Sequence, residues 1–399
     1  MDSRRHFIGK FAGGLAGTLA APGAAFGAGR RIRLGLIGAG SRGMQLAREA
    51  AAGGNGELVA VADIYSARLE QCRAAFPQAH PYSDYRALVA DPSIDAVIIA
   101  TPPHQHAAQF VAALEAGKHV YQERVMAFTV EHAWRMRAAW ERAGRVVQIG
   151  HQVCCSGQTR DASEWIASGR LGRITAIRAH AFRNTPRGRP PGFRPIHPGM
   201  TEAAIDWRAF LAEAPAREFD PNRYENWRNY WDYSGGQVFE AMSQQLAFWV
   251  KVLDLGIPRA ATMRGGTYLW KDGREVPDTM SVALEFAEEL LFSWDAGLGN
   301  SEPGTGEVAL GTDGTIVRGQ QIRYVPQKVN RPEGTEIAGR SPNRPRAAME
   351  NFLEAVAKGG TPECPFEIGF RVSIACRMAL ESLRLGRTVY WDPERGEMV

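Results

Sequence analysis

Three glycines, Gly38, Gly40 and Gly43, follow an apolar run in RIRLGLIGAGSRGMQLAREAAAG at GxGxxG spacing. Each position has its own reason to lack a side chain. The first permits a tight turn, the second lets the backbone approach a pyrophosphate, and the third lets a helix lie close against a strand. A phosphate would then rest on the N-terminus of the helix predicted from Arg42 onward. This makes Gly38, Ala39, Gly40, Ser41, Arg42 and Gly43 candidate cofactor contacts. A second apolar run, Leu58 to Ala62, ends in Asp63, 20 residues beyond Gly43. A carboxylate there would accept from both hydroxyls of an adenine ribose and repel a 2′-phosphate, which favours NAD over NADP. Arg42 and Arg68 are the residues that could still receive such a phosphate.

A different kind of chemistry is suggested at KHVYQERVMAFT, residues 118–129. A short strand, His119-Val120-Tyr121, runs into the acid–base pair Glu123-Arg124, and a charged pair at a strand end is poorly explained by packing.

The elements that must position these groups alternate. Strand 32–37 and its helix lead to strand 58–62, a helix over 67–75, a further helix in DYRALVADPSI, the buried strand of DAVIIATPP, and a helix over about 105–116 that stops at Gly117. Then come the strand ending at Glu123 and another in RVVQIGHQ. Alternating β and α segments predict a doubly wound parallel sheet with its ligands at the strand C-terminal ends. Thr101, Pro102, His104, His106, Glu123, Arg124 and His151 all fall at such ends. The first seven of the cofactor candidates and these strand-end residues together outline one cleft, with the Glu-Arg pair toward its nicotinamide end.

After His151 the pattern changes. A helix and a strand from Ile174 open a second sheet. An aromatic, proline-rich stretch over 185–233 follows, and Gly235-Gly236 then start an amphipathic helix. Strand-like runs return over the last third of the chain, which closes with two helices and GRTVYWDPERGE. The aromatic residues Trp207, Tyr224, Trp227, Tyr230, Trp231 and Tyr233 either stack on a sugar or cover the sheet.

With 399 residues the chain is long enough for two domains, and 45% hydrophobic with 23% charged residues is an ordinary globular balance. Residues 1–28 read as a leader: a basic start with Arg4-Arg5, a soft apolar stretch and small residues at its end, in the pattern of twin-arginine export. The domains expected are therefore 1–28 leader, 30–150 dinucleotide-binding and 151–399 substrate-binding. The predicted location is periplasmic or secreted, reached by an already folded protein. A formal charge of +4, of which the leader holds about half, offers no electrostatic basis for binding nucleic acid or an acidic membrane. Five cysteines without CxxC spacing predict neither a disulfide framework nor a metal site.

Several stretches together resemble the glucose–fructose oxidoreductase / inositol dehydrogenase / MocA family: GLIGAGSRG, DAVIIATPPHQH, GKHVYQERVMA, Gly-His-Gln at 150–152, NWRNYWDYSGGQVFEAMSQQ and ACRMALESLRLGRTVYWDPE. The resemblance implies a Rossmann domain followed by an α/β domain with a large open, mostly antiparallel sheet that serves oligomer formation. It further implies a sugar or cyclitol site between the domains and tightly held NAD(P), and some secreted members carry a twin-arginine leader. Members usually have Glu-Lys-Pro where this chain has Glu123-Arg124-Val125, and an aspartate and a histidine where it has Glu240 and Gln244. Lysine can pass a proton, whereas a guanidinium only donates hydrogen bonds. Glutamine cannot titrate. The expected proton carriers therefore shift to Glu240, with His151, Tyr233 and the loop residue His197 as substitutes. Arg124, Arg208, Arg228, Tyr233, Glu240 and Gln244 become the candidate substrate contacts. Three outcomes fit this pattern: a sugar oxidoreductase with altered acid–base residues, a redox-neutral glycosidase or lyase that oxidises its sugar transiently, or a non-catalytic NAD- or sugar-binding protein.

Overall fold

The structure, a computed structural model, describes residues 30–342 and 347–399. The leader expected at 1–28 lies outside the described residues. The first layer is a parallel sheet built from β1 (Ile32–Ile37), β2 (Gly56–Ala62), β3 (His80–Tyr82), β4 (Ala96–Ile99), β5 (His119–Glu123) and β6 (Val147–Gly150). Their order is β3-β2-β1-β4-β5-β6, so the chain reverses direction between β1 and β4. Ligands bind at such a switch point because the flanking loops part there. The connecting helices are α1 (Ser41–Ala52), α2 (Ser66–Ala75), α3 (Tyr85–Ala90), α4 (Pro103–Glu115) and α5 (Val130–Ala143). β4 is buried along its whole length, as expected of a strand covered by helices on both faces.

The second half comprises α6 (Gly157–Ala167), β7 (Ile174–Phe182), α7 (Trp207–Leu211), α8 (Pro221–Glu225), α9 (Ser243–Leu253), β8 (Ala260–Gly266), β9 (Thr279–Phe286), β10 (Leu290–Gly297), β11 (Thr305–Gly311), β12 (Gly314–Arg318), β13 (Ile322–Pro326), β14 (Ile337–Ala338), α10 (Ala347–Lys358), α11 (Phe366–Leu385), β15 (Val389–Asp392) and β16 (Glu397–Met398). Ten strands form one sheet in the order β14-β13-β12-β11-β7-β10-β9-β8-β15-β16, antiparallel except for the β7–β10 pair. Burial alternates along β9 and β10, so one face packs on the helices and the other meets solvent.

Two segments of the second half return to the first. Met349, Phe352 and Leu353 of α10 share a core with Leu34, Leu36 and Ala50. Residues 204–206 also lie along the exit of β2: Ser66 N donates to Ala204 O at 3.2 Å, and Asp206 N donates to Ile64 O at 3.0 Å. Among the described residues no helix is long and apolar enough to cross a membrane, and no group of three or more His, Cys, Asp or Glu side chains could hold a metal ion.

Candidate active site

The glycine turn shows three distinct constraints. Gly38 has φ of +92°, and a Cβ there would come within 3.0 Å of the Ala100 backbone. A Cβ on Gly43 would stand 2.0 Å from Gly38 O, so only glycine lets α1 lie against the turn. A Cβ on Gly40 would meet nothing nearer than Arg68 Nη1 at 3.9 Å and would project into open space. Gly40 caps α1 without a side-chain bond, leaving first-turn N–H groups free. An anion fits here by donor geometry and by shape.

Asp63 sits beside this turn, buried, with Oδ2 accepting from Ala39 N at 2.7 Å and Oδ1 from Tyr65 N at 2.9 Å. Burial raises its pKa above the usual carboxylate value, against the opposing pull of Arg68 and the nearby amides. A carboxylate has about four acceptor positions, so two remain for vicinal hydroxyls. The two arginines that could receive a 2′-phosphate are engaged elsewhere. Arg42 donates from Nε to Glu123 Oε1 at 2.8 Å, and Arg68 donates to Tyr224 Oη at 2.8 Å and to Glu225 Oε2 at 2.9 Å.

The cleft holds about 630 Å³ and is lined by Gly38, Gly40, Asp63, Thr101 and Pro102 on one wall and by Arg194, Glu225 and Trp227 on the other. Arg194 spans the two walls, donating to Ser41 Oγ at 3.0 Å and to Glu225 Oε1 at 3.3 Å. Thr101 Oγ1 donates to Gln109 Oε1 at 2.5 Å, both residues lining the cleft.

The strand-end histidines correct the expectation drawn from their positions. His104 lies behind the wall, its Nε2 2.7 Å from Phe210 O and its ring against Phe210 and Tyr233. Burial lowers its pKa to about 4. His106 is fully buried, its ring nitrogens 2.8 Å from Val125 O and 2.9 Å from Thr101 O, where it ties two strand-end loops together. His151 is likewise fully buried, with Nδ1 3.9 Å from Cys364 Sγ and burial lowering its pKa to about 3. It is enclosed by the core rather than lining the cleft. Tyr233 is buried among Phe210 and His104 and does not line the cleft. His197 is exposed in its loop.

The other candidates converge. Glu123 Oε1 accepts from Gln152 Nε2 at 2.9 Å as well as from Arg42. Arg124 donates from Nε to the Glu240 carbonyl at 3.2 Å and from Nη1 to Gln152 Oε1 at 3.4 Å, and its Nη2 lies 4.0 Å from Glu240 Oε2. Gln244 Nε2 donates to Gln152 Oε1 at 2.7 Å, while its own Oε1 is buried with no donor. Arg228 Nε donates to Glu240 Oε1 at 3.2 Å, its guanidinium lying 4.1 Å over the Trp227 ring. Glu240 and Gln244 straddle the junction between a π-helical turn, Val238–Met242, and α9, a local widening often found at functional sites. Arg208 lines the cleft and is exposed.

Gln152 is the residue sequence reasoning missed. It follows His151 at the end of β6, and neighbours leaving a strand point to opposite sides. The strand-end pattern therefore points to this loop and to His151, whereas Gln152 makes the hydrogen bonds to Glu123, Arg124 and Gln244. Glu225 and Arg194 carried no sequence signal, since their partners lie far away in the chain. Of the aromatic residues, Trp207, Tyr224, Tyr230 and Tyr233 form a buried cluster with Phe210, and only Tyr224 and Trp227 also reach the cleft.

The arrangement contains two carboxylates able to take a proton. Glu123 is buried under three donors, whereas the Glu240 side chain is 28% exposed and adjoins the cleft through Arg228, which lines it. Arg124, Gln152 and Gln244 supply hydrogen-bonding groups around it.

Comparison with known proteins agrees with this geometry. Residues 32–151 match the Gfo/Idh/MocA model, described as an oxidoreductase family with an NAD-binding Rossmann fold. A 1-carboxy-3-chloro-3,4-dihydroxycyclohexa-1,5-diene dehydrogenase from Comamonas testosteroni is 36% identical over 146 residues, 37% of each chain. The chain matches less than half the length of several such curated relatives. Levoglucosan dehydrogenase from Pseudarthrobacter phenanthrenivorans is 24% identical over 349 residues, 75% of this chain and 80% of the relative. A solved levoglucosan dehydrogenase, in complex with NADH and levoglucosan, superposes with a TM-score of 0.71 at 20% identity, covering 90% of this chain and 99% of that one. That likeness establishes the fold. The glycine turn, the Asp63 carboxylate and the strand order agree with that match, and residues 32–151 are similar to the NAD-binding Rossmann domain of the Gfo/Idh/MocA oxidoreductases.

Proposed function

We propose that this protein is an NAD-dependent oxidoreductase acting at a carbinol carbon of a sugar, sugar derivative or cyclitol. The observation that carries this reading is continuity. Arg42 of the glycine turn bonds Glu123, Glu123 bonds Gln152, and Gln152 bonds both Arg124 and Gln244. One hydrogen-bonded chain thus runs from the phosphate end of the cleft to the residues around Glu240. Bound NAD would supply hydride acceptance. Asp63 would hold its adenine ribose and the α1 N-terminus its pyrophosphate. The commitment of Arg42 and Arg68 to carboxylates disfavours a 2′-phosphate.

On the substrate side, Glu240 is the group that accepts the hydroxyl proton. The Arg124 guanidinium donates to a substrate oxygen and leaves the proton elsewhere. Gln244 Oε1, now without a donor, accepts from a second hydroxyl. Export through a twin-arginine leader at residues 1–28 and assembly of copies through the open face of the ten-stranded sheet belong to the same proposal. Fractionation of cells and light scattering of the purified protein test those two points.

The central test follows the near-ultraviolet band of reduced nicotinamide on the purified protein, before and after a panel of sugars and cyclitols. A change abolished by Glu240→Gln is expected. A new product without net change in the band would replace this reading by the redox-neutral glycosidase or lyase. Neither change nor product across the panel would leave only a binding protein.

A further inference from the structure

Charge is unevenly distributed around Glu240. Arg228 uses only Nε, toward Glu240 Oε1, and neither of its terminal nitrogens meets an acceptor among the described residues. Arg124 Nη2 lies 4.0 Å from Glu240 Oε2, beyond hydrogen-bond distance. Glu123 offers little more, since it already accepts from Arg42 and Gln152 and stands 3.6 Å from Arg124 Nη1. Both terminal nitrogens of Arg228, and Nη2 of Arg124, are therefore left without a hydrogen-bond acceptor at the substrate end among the described residues. The stacking of Arg228 on Trp227 fixes the plane of its fork, and both residues line the cleft. Oxidised nicotinamide would add a further positive charge.

A planar fork with free donors suits a carboxylate. We propose that the substrate is an acidic sugar of the uronate class, its carboxylate held between the free ends of Arg228 and Arg124. This rests on the sugar-binding reading above and does not require turnover.

The test is calorimetric titration of the NADH-loaded protein with D-glucuronate, D-galacturonate, their neutral parent sugars, D-glucuronamide and glucose 6-phosphate. Charge-assisted hydrogen bonds imply that a uronate binds about tenfold or more tightly than its neutral sugar and the amide. That preference shrinks as salt is raised, which reads the charge on the unaltered protein. Arg228→Gln removes the preference, and Arg228→Lys, which keeps the charge and loses the fork, restores part of it. Equal binding of uronate and neutral sugar, or no binding of any uronate, overturns the proposal. Tighter binding of glucose 6-phosphate also overturns it. Weakened NADH binding in Arg228→Gln with an intact uronate preference would reassign the guanidinium to the cofactor. Uronate binding with no change in the nicotinamide band would leave this proposal standing while the oxidoreductase reading fell.

Discussion

The two ends of the cleft are built on different principles. At the cofactor end, shape is enforced by backbone: Gly38 takes a left-handed φ and Gly43 has no room for a methyl group. At the substrate end, shape is enforced by side chains that hydrogen-bond one another, Arg124, Gln152, Gln244, Glu240 and Arg228. The first kind of site tolerates almost no substitution. The second can in principle change its residues while keeping its connectivity, since one hydrogen-bonding side chain can stand in for another. A backbone-built site preserves a ligand, and a side-chain-built site can alter a chemistry.

The sharpest test of that contrast is a pair of alanines. Gly43→Ala puts a methyl 2.0 Å from a carbonyl oxygen. Overpacking of this kind costs about 1–3 kcal/mol or more, and we expect a lower melting temperature together with loss of NADH binding. Gly40→Ala, whose methyl would meet open space, should melt normally and still lose NADH fluorescence enhancement. If both variants melt and bind alike, the glycines do not have separate roles.

Glu240→Gln tests the substrate end. Removing a general base typically costs about 10²–10⁴-fold in turnover, and NADH affinity should be retained because Glu240 is remote from the glycine turn. Stopped-flow turnover beside a fluorescence titration separates the two. Asp63→Asn should be milder: losing a charged acceptor for a ribose weakens NADH binding by about tenfold or more and narrows the preference over NADPH, read as the ratio of the two dissociation constants.

A further effect concerns pH. His104 and His151 are buried, with folded pKa values of about 4 and about 3. Unfolded histidine titrates near 6.5, so below that pH the unfolded chain binds protons that the folded one refuses. Stability from both residues is fully present above about pH 6.5 and is lost as pH falls toward the folded values, by at most about 1.4 kcal/mol per pH unit for each. Melting curves between pH 7 and 5 should show this slope, and His151→Phe should flatten it.

Much of the cofactor end was legible in the sequence because its constraints are local. The strand, the glycine turn and the helix adjoin, and Asp63 ends the next strand. The parallel alternation also followed from buried apolar runs, although β3, three residues long, was too short to register. The substrate end was legible only in part. Arg124 stood out as half of a charged pair at a strand end, Glu240 and Gln244 through the family resemblance, and Gln152, which joins Arg124 to Gln244, did not. The segment 185–233 resisted reading because it lacks a helical or strand period. It is ordered by distant pairings such as Arg68 with Glu225, 157 residues apart. Sequence position does not reveal that His104, His106, His151 and Tyr233 are buried away from the cleft lining, since a residue at a strand end can face the core as readily as the cleft.

The pairing of residues 204–206 with the exit of β2, and the packing of α10 beside α1, bear on how the protein is made. A chain emerging from the ribosome N-terminus first completes its glycine turn and Asp63 early. The outer wall, Arg194 and Glu225, arrives later, and the helix that closes the core behind α1 arrives only after residue 347. A truncated or stalled chain would carry the whole dinucleotide signature and still lack a finished pocket. Cofactor occupancy therefore reports that the segment through Arg228 has met the nucleotide-binding sheet, a mark of assembly that the nucleotide-binding motif by itself could never give.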